Sequence, residues 1–266
     1  MKNLWFLFIV TFNSAAFSQY NSGAKLTGMG YSGTAVQDPW VAQFNPAGIT
    51  FLTKPALSLS YAKHLFSNEV SSQGVAVVVP IDDNVVGLNF QRYGFSAYRE
   101  NKIGLTYARK FGPHLSFGLN TNYQEISIPN YGTTNGFSVD FGAQYKFNKY
   151  FILGANINNL ARQKYANNDI DDIIPTCFSI GLSYHASDKV LIATTVVKEL
   201  NQLINVQVGL DYKLIELFSL RGGINARPFK QFAGFGIYYK KFMVDMATIY
   251  DANLGYAPQI SLGYAF

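Results

Sequence analysis

The sequence has little of several features that many proteins rely on. Its 266 residues contain one cysteine, Cys177, so no disulfide can form within the chain. Charged residues make up only 14% of the chain, which is low for a soluble domain. The longest apolar run, residues 4–11, is too short to cross a bilayer as a helix. The sequence therefore excludes a protein built on transmembrane helices.

Aromatic residues, by contrast, are abundant. The chain contains 22 Phe and 18 Tyr, although its mean hydropathy is close to zero. This combination is typical of a membrane β-barrel, whose outer face is apolar and whose interior is polar. The net charge of +5 is spread without a basic run and gives no indication of a nucleic-acid partner.

Residues 55–266 alternate between apolar and polar positions in runs of strand length. In residues 137–147, for example, the odd positions are all apolar or aromatic, and the even positions are Ser, Asp, Gly, Gln and Lys. Roughly fourteen such runs predict an all-β fold, a transmembrane antiparallel β-barrel. Charged residues fall on the polar face, and the following are predicted to lie in the lumen: Asp140, Lys146, Asp211, Lys213, Arg221, Arg227 and Asp245.

The connections between these runs alternate in predicted length. Tight turns are expected at 82–84, 112–113, 148–149, 187–188, 215–217 and 240–241, and longer loops near 66–71, 94–100, 128–134, 161–175, 201–204, 228–231 and 251–256. Outer-membrane barrels have short periplasmic turns and longer external loops. Because the short turns follow the even strands, both termini are expected in the periplasm.

The N-terminal part lacks this alternation. Residues 1–18 have the pattern of a secretory signal, with Lys2 before an apolar core and a small-x-small cleavage site at Ala16-Phe17-Ser18. Residues 19–54 are predicted to fill the barrel lumen as a plug, the alternative being a disordered leader.

A short helix is predicted inside the plug. Asp38 is a suitable N-cap and Pro39 a suitable first helical residue, and Pro46 is expected to end the helix. Trp40 and Phe44 favour the plug over the leader, because leaving them in water would be costly.

Other motifs point to alternative activities without supporting them. Residues 28–33, GMGYSG, match the G-x-G-x-x-G pattern of dinucleotide-binding folds, but no βαβ unit surrounds them. His64, His114 and His185 fall on separate predicted strands, away from any nucleophile motif. No catalytic, cofactor-binding or metal-binding residue is predicted, and a lipid-modifying barrel enzyme is the least favoured hypothesis.

Two remaining features have plain interpretations. Cys177 lies in or beside a strand and is read as a small apolar residue, the alternative being a reactive thiol. Asp169, Asp171 and Asp172 cluster in the longest loop. They are read as a solvated acidic loop, with a bound divalent cation or lipopolysaccharide as the alternatives.

Residues 23–40, GAKLTGMGYSGTAVQDPW, followed by FNPAG at 44–48, resemble the N-terminal region of the FadL superfamily, in particular its PorV/PorQ-like branch in Bacteroidetes. The resemblance implies a fourteen-strand barrel plugged by its N-terminal segment. It implies plug or channel roles for Asp38, Trp40, Asn45, Pro46, Ala47 and Gly48, with Asn45, Pro46 and Ala47 facing the channel. Gly87 and Gly94 are candidates for a kink in the third strand, where the family opens laterally.

Two functions follow from this resemblance. One is transport of small hydrophobic solutes through the outer membrane, and the other is a function in type IX secretion. The alternative to both is a non-transporting accessory or scaffold subunit of an outer-membrane assembly or secretion complex. Expected partners are outer-membrane lipid and lipopolysaccharide, secretion-system subunits, and the barrel-assembly machinery. The terminal Phe266 resembles the C-terminal aromatic residue that this machinery recognises.

Overall fold

The computed structural model describes residues 21–64, 69–166 and 173–266. These residues form a closed antiparallel barrel of fourteen strands, in which each strand pairs with its chain neighbours and the first pairs with the last. The predicted fold class is confirmed. The predicted signal at 1–18 and the acidic residues Asp169, Asp171 and Asp172 lie outside the described residues.

The strands are β1 (Ala56–Lys63), β2 (Ser71–Ile81), β3 (Asn84–Phe95), β4 (Tyr98–Phe111), β5 (Leu115–Ile128), β6 (Gly132–Lys146), β7 (Phe151–Asn158), β8 (Cys177–Ser187), β9 (Val190–Glu199), β10 (Asn205–Ile215), β11 (Phe218–Ala226), β12 (Phe229–Tyr239), β13 (Phe242–Asp251) and β14 (Gly255–Ala265). No helix in the described part of the chain is long and apolar enough to cross a membrane.

The two faces of each strand meet different surroundings. On β5, Ser116, Asn120 and Asn122 point inward and are completely buried, whereas Leu119 between them is 48% exposed. Exposed Leu, Ile, Val, Phe and Tyr side chains from every strand form an apolar outer belt. Because a charge near the middle of such a belt would cost about 2–4 kcal/mol in lipid, the segregation of charge to the inner face suits a membrane-spanning wall.

The last strand closes the barrel. β14 pairs with β1 from Ala56↔Ala265 to Ala62↔Gln259, so neither strand is left with an open edge. Phe266 donates its backbone N–H to the Pro55 carbonyl at 3.0 Å, and its exposed ring packs edge-on against Tyr264. We call the end of the barrel that holds Ala56 and Ala265 the terminal end, and the opposite end the loop end.

The predicted alternation of short turns and long loops is wrong at the loop end. Strands β3 and β4 are joined by residues 96–97 alone, and β11 and β12 by residues 227–228 alone. Pairing continues to Phe95↔Tyr98. Where strands extend past the apolar belt, they carry polar side chains on both faces, such as the exposed Arg99. These strand ends therefore lack the apolar–polar alternation by which the sequence predicts a strand. Arg227 lies exposed in the β11–β12 turn, and its predicted lumenal position is also wrong.

The ladder of β3, all of which is described, has no break at Gly87, one of the two predicted kink positions, whereas Gly94, near the loop end of the strand, has φ of +129°. β3 pairs without interruption with β2, from Ser71↔Gly94 to Ile81↔Asn84, and with β4 along its whole length. Gly87 faces inward instead, where a β-carbon would lie 3.3 Å from Ile49 Cδ1. Its missing side chain makes room for Ile49 rather than bending the strand.

The N-terminal segment, residues 21–52, contains three short helical turns: α1 (Gly23–Gly28) and two 3₁₀ helices, Pro39–Gln43 and Pro46–Phe51. Asp38 accepts a hydrogen bond from the Trp40 amide at 3.0 Å, so the predicted helix start is where the sequence placed it. Pro46 begins the second 3₁₀ helix, which the sequence analysis did not foresee. Asn45 caps that helix by accepting from the Ala47 amide at 3.1 Å.

Candidate functional site

The N-terminal segment lies inside the barrel. Helix α1 packs against β11 to β14 and β1, the first 3₁₀ helix against β1 to β3, and the second against β3 to β6. Almost every residue from 21 to 50 is buried, including Trp40 at 3% exposure. The segment therefore contacts most of the inner wall and fills the middle of the lumen.

Glycines on the inner face of the wall make this packing possible. A β-carbon added at Gly118 would lie 2.5 Å from the Pro46 carbonyl carbon, and one at Gly142 would lie 2.1 Å from Asn45 Oδ1. The same close approach occurs at Gly154, Gly209 and Gly223, where the nearest atoms are Thr34 O, Met29 O and Gly30 N at 2.1, 2.3 and 2.4 Å. We call these five residues the contact glycines. Any side chain there would push the N-terminal segment away from the wall.

Hydrogen bonds fix the segment to β6. Asn45 donates from Nδ2 to the Ala143 carbonyl at 3.0 Å and to the Thr34 carbonyl at 2.8 Å. Gln144 donates from Nε2 to the carbonyls of Thr34 and Val36 at 3.1 and 3.2 Å. The motif residues Asn45, Pro46 and Ala47 are thus buried against β5 and β6 rather than facing open space, and Gly48 packs against Val41 and Gln144.

Three of the predicted lumenal charges meet at one place. The Arg221 guanidinium, fully buried, contacts Asp245 at 2.7 Å and Asp211 at 3.3 Å, and it also donates to the Tyr238 hydroxyl. Lys25 of α1 forms an ion pair with Asp38 at 3.3 Å nearby. Burial lowers the pKa of the Lys25 ammonium, but the nearby carboxylates of Asp38 and Asp211 outweigh burial, and the net effect raises that pKa.

Two further predicted lumenal charges, Asp140 and Lys146, lie elsewhere, and Lys213 is exposed on β10. Asp140 accepts hydrogen bonds from the side chains of Asn120 and Asn122 at 3.2 and 2.8 Å, and from the Asn159 amide at 2.9 Å. Lys146 places its Nζ 5.6 Å from the centre of the Phe51 ring. Asp140 and Lys146 are each held by contacts within the barrel, so these two and the three charges around Arg221 point inward but do not form a single cluster.

Two cavities lie on opposite sides of the N-terminal segment. The loop-end cavity, of about 220 Å³, has Tyr31, Thr34, Gln43 and Phe44 at its floor. The terminal-end cavity, of about 420 Å³, is bordered by Lys25 and by turns of the terminal end. The segment between them is the barrier that a solute crossing the barrel would meet.

The floor of the loop-end cavity is aromatic. The rings of Tyr31 and Phe44 stack with centroids 6.4 Å apart, and Phe232 packs edge-on against Tyr31 at 5.3 Å. Burial raises the pKa of the Tyr31 hydroxyl to about 12, and the hydrogen bond to Thr27 opposes this only partly, so Tyr31 is neutral at physiological pH. A planar apolar solute can lie against these rings.

The side wall of the loop-end cavity is polar. It includes Lys102, which is 5% exposed, together with Asp140, Gln124 and Glu199. The sequence analysis missed Lys102 and Gln43. The sequence signal for Lys102 was its place on the polar side of a period-two pattern, and the signal for Gln43 was its place in the predicted plug. No stronger signal marked either residue.

The wall beside this cavity has a break in its ladder. β6 pairs with β7 only from Phe141↔Ile157 to Lys146↔Ile152, which leaves residues 132–140 of β6 without a strand partner on that side. Residues 159–166 and 173–176, which we call the strap, cover the gap. Leu160 and Ala166 donate their amides to the carbonyls of Val139 and Asn135, both at 2.8 Å.

Tyr165 and Ile174 of the strap pack against Ile126 in a small apolar cluster. Asn159 anchors the strap by donating to the carbonyls of Gln163 and Ile174, both at 2.9 Å. The strap therefore completes the wall where the strands do not.

The remaining candidate residues are dispersed. His64 and His114 lie just outside β1 and β5, and His185 lies on β8, so the three histidines do not share a strand. Cys177, at the start of β8, is a free thiol that borders the loop-end cavity. Within the described residues, no three His, Cys, Asp or Glu side chains are grouped so that they could hold a metal ion.

A closed antiparallel barrel with an apolar outer belt, a polar inner wall and its own N-terminal segment inside defines a transmembrane β-barrel of the outer-membrane type. The particular fold is shared with solved monoaromatic hydrocarbon channels and with a solved FadL homologue. No protein-family model and no curated protein sequence matches the chain.

Three of these structures illustrate the likeness. The CymD monoaromatic hydrocarbon channel superposes with a TM-score of 0.73 at 14% identity, over 94% of this chain and 99% of that one. The toluene transporter TbuX of Ralstonia pickettii gives 0.71 at 12% identity, over 92% and 98%. A Pseudomonas aeruginosa FadL homologue gives 0.62 at 14% identity, again over 92% and 98%. At such identities the shared property is the fold.

Proposed function

We propose that this protein is a passive channel for small, largely apolar solutes in the bacterial outer membrane, with the N-terminal segment as its plug. The observation that carries the proposal is the arrangement along the barrel axis: a cavity with an aromatic floor, then the segment, then a second cavity. The solved structures with this fold include proteins described as hydrocarbon channels.

In this channel the solute leaves water at the loop-end cavity. Contact with Tyr31 and Phe44 removes apolar surface from water, which favours entry by about 25 cal/mol per Å² buried. Passage then requires the N-terminal segment to shift, because the contact glycines hold it against the wall with no room to spare. Flux follows the concentration gradient, and the chain needs no reaction and no cofactor for it.

The orientation belongs to the same proposal. The terminal end faces the periplasm, because its connections are the uniformly short ones, and the loop end faces outward. Residues 1–18 serve as the export signal, and Phe266 is the signal for the barrel-assembly machinery. Outer-membrane lipid and lipopolysaccharide surround the apolar belt.

A reversible crosslink tests the plug. A β-carbon at Gly28 of α1 would lie 3.7 Å from Ala247 Cβ on β13, a separation that suits a disulfide. We expect Gly28→Cys with Ala247→Cys, in a Cys177→Ser background, to lock the segment when oxidised. Uptake of radiolabelled ethylbenzene by cells carrying the oxidised barrel should fall to that of cells without the barrel, and reduction should restore it.

The two single-cysteine variants, treated with the same oxidant, are the matched controls and should keep the uptake of the Cys177→Ser parent. Equal uptake by the oxidised and reduced double variants would show that the segment does not move during transport. Equal uptake by cells with and without the parent barrel would refute the channel itself.

The packed lumen favours a second candidate function, in which the barrel is a non-transporting subunit of a secretion or outer-membrane assembly complex, as the PorV/PorQ-like resemblance implies. The N-terminal segment packs tightly on the contact glycines and closes the middle of the lumen, and two of the loop-end connections are only two residues long. Under this candidate the Cys177→Ser parent gives no ethylbenzene uptake, and the barrel co-purifies from native Bacteroidetes membranes with a stoichiometric type IX secretion subunit. Recovery of the barrel alone would contradict it.

A further inference from the structure

The side chain of Gln43 has an unusual position at the floor of the loop-end cavity. It is 6% exposed, and neither Nε2 nor Oε1 has a hydrogen-bond partner among the described residues. Other buried amides, such as those of Gln144 and Asn89, keep at least one bonded atom. A buried amide left without partners is unfavourable for the fold, so one that borders a cavity is a group with which a ligand can pair.

Thr195, on the wall of the same cavity, has a similar position. Its hydroxyl is buried, with the residue at 1% exposure, and has no partner among the described residues. The position of a β-carbon on Gly181 lies 3.1 Å from Thr195 Oγ1 and 2.8 Å from Thr34 Cβ, so this hydroxyl lies beside the N-terminal segment at the cavity floor. Two buried polar side chains from different elements therefore border one space.

The remaining surroundings define the solute. The rings of Tyr31 and Phe44 border the same cavity as Gln43, and its volume of about 220 Å³ exceeds the roughly 150 Å³ that is enough for benzene in a protein interior. A carboxamide such as that of Gln43 both donates and accepts, and it forms two hydrogen bonds with a second carboxamide.

From this arrangement we propose that the loop-end cavity is a recognition site for monoaromatic solutes that carry a group able to donate and accept hydrogen bonds, a primary carboxamide fitting best. Gln43 and Thr195 bind that group, while Tyr31 and Phe44 bind the ring. The proposal rests on the channel function and deepens it, because it names the solutes that the plug itself selects. A plain hydrocarbon enters the same cavity but leaves the two polar side chains without partners.

The test compares two solutes of matched shape, benzamide and isopropylbenzene, which differ in whether the branched substituent can form hydrogen bonds. Dissociation constants are measured by saturation-transfer NMR on the purified full chain in detergent, with a micelle-only blank to subtract partitioning. We expect Gln43→Met to weaken benzamide binding about tenfold, the equivalent of two ordinary hydrogen bonds, and to leave isopropylbenzene binding unchanged or stronger.

Thr195→Val, which changes the wall rather than the N-terminal segment, should act in the same direction by about threefold. Gln37→Met is the matched control, because Gln37 belongs to the same segment but does not border the cavity. It should alter neither constant.

The outcomes separate this inference from the channel proposal. If both solutes bind and Gln43→Met and Thr195→Val change their constants equally or not at all, the polar recognition is refuted and the channel stands. The same holds if isopropylbenzene binds and benzamide does not. If neither solute binds the unmodified protein, the cavity is not a solute site and both proposals fail.

Discussion

The side-chain oxygen of Asn45 occupies the space that a β-carbon on Gly142 would need, since the two positions lie 2.1 Å apart. Gly142→Ala therefore forces Asn45 away from β6 and breaks its hydrogen bond to the Ala143 carbonyl. We expect a loss of about 1–3 kcal/mol of stability, typical of an overpacked site. Faster amide hydrogen exchange at residues 44–48 and a lower thermal midpoint would show it.

Gly222→Ala is the matched control for that substitution. Gly222 lies on β11, in a separate part of the wall, and a β-carbon there would meet nothing closer than 4.0 Å. Its thermal midpoint should stay near that of the unmodified protein. If the two alanine variants behave alike, the close packing between segment and wall is not what stabilises the lumen.

Removal of the Arg221 charge should be among the most damaging single changes. Arg221→Met would leave the partly buried carboxylates of Asp211 and Asp245 facing each other without their common cation. Breaking a buried ion pair by removing one partner costs about 3–5 kcal/mol. The measurement is the free energy of unfolding in urea from detergent micelles, with Arg99→Met at an exposed position as the control, expected to change it by less than about 0.5 kcal/mol.

The strap should open locally when its anchor is lost. Asn159 has φ of +50°, which asparagine tolerates better than alanine, and its side chain holds Gln163 and Ile174. Asn159→Ala should weaken the strap by about 2 kcal/mol, seen as faster hydrogen exchange in residues 160–166 and 173–176. Asn159→Gly relieves the backbone but loses the same hydrogen bonds. Its hydrogen-exchange rates should lie between those of the unmodified protein and those of Asn159→Ala. Unchanged exchange in both variants would mean that other contacts hold the strap.

His64 should make the loop end sensitive to acid. Burial first, and then the positive charge of Lys230, lowers the pKa of the His64 imidazole from 6.5 to about 4. Above pH 6.5 the ring is neutral in both folded and unfolded chains, so stability does not change. Between about 6.5 and 4 only the unfolded chain takes up the proton, and stability falls as the pH falls. Below about 4 both states are protonated and the dependence ends.

The check on this prediction is the pH dependence of the thermal midpoint between pH 7 and 4. His64→Gln should flatten the contribution of this window. A slope that persists unaltered in His64→Gln would assign the acid sensitivity to other groups.

The strand layout could be predicted because alternation is a local property. Over residues 137–146 of β6, apolar side chains face outward and polar residues or glycine face the lumen, so the two environments alternate from one residue to the next. The inward direction of Asp140, Asp211, Arg221 and Asp245 followed from the same rule. The start of the 3₁₀ helix at Pro39 also followed, because capping involves only adjacent residues.

The errors arose where the pattern depends on distance from the membrane or on remote contacts. Residues 96–97 and 227–228 were assigned to longer loops because the strands beside them rise above the apolar belt and lose their alternation. Gly87 was a candidate for a kink in the third strand, whereas its missing side chain makes room for Ile49. The plug roles of the motif residues and the secretion resemblance stay predictions.

The sequence by itself determined that this chain forms a membrane barrel, how many strands it has and which face of each strand meets lipid, because every strand must satisfy the same two environments along its own length. Only the tertiary structure decided which wall glycines receive the N-terminal segment, where the strap replaces a strand partner, and that Gln43 lies at the floor of a cavity. Those features join residues far apart in the chain, as Asn45 and Ala143 are with a separation of 98. They depend on the register and closure of all fourteen strands together.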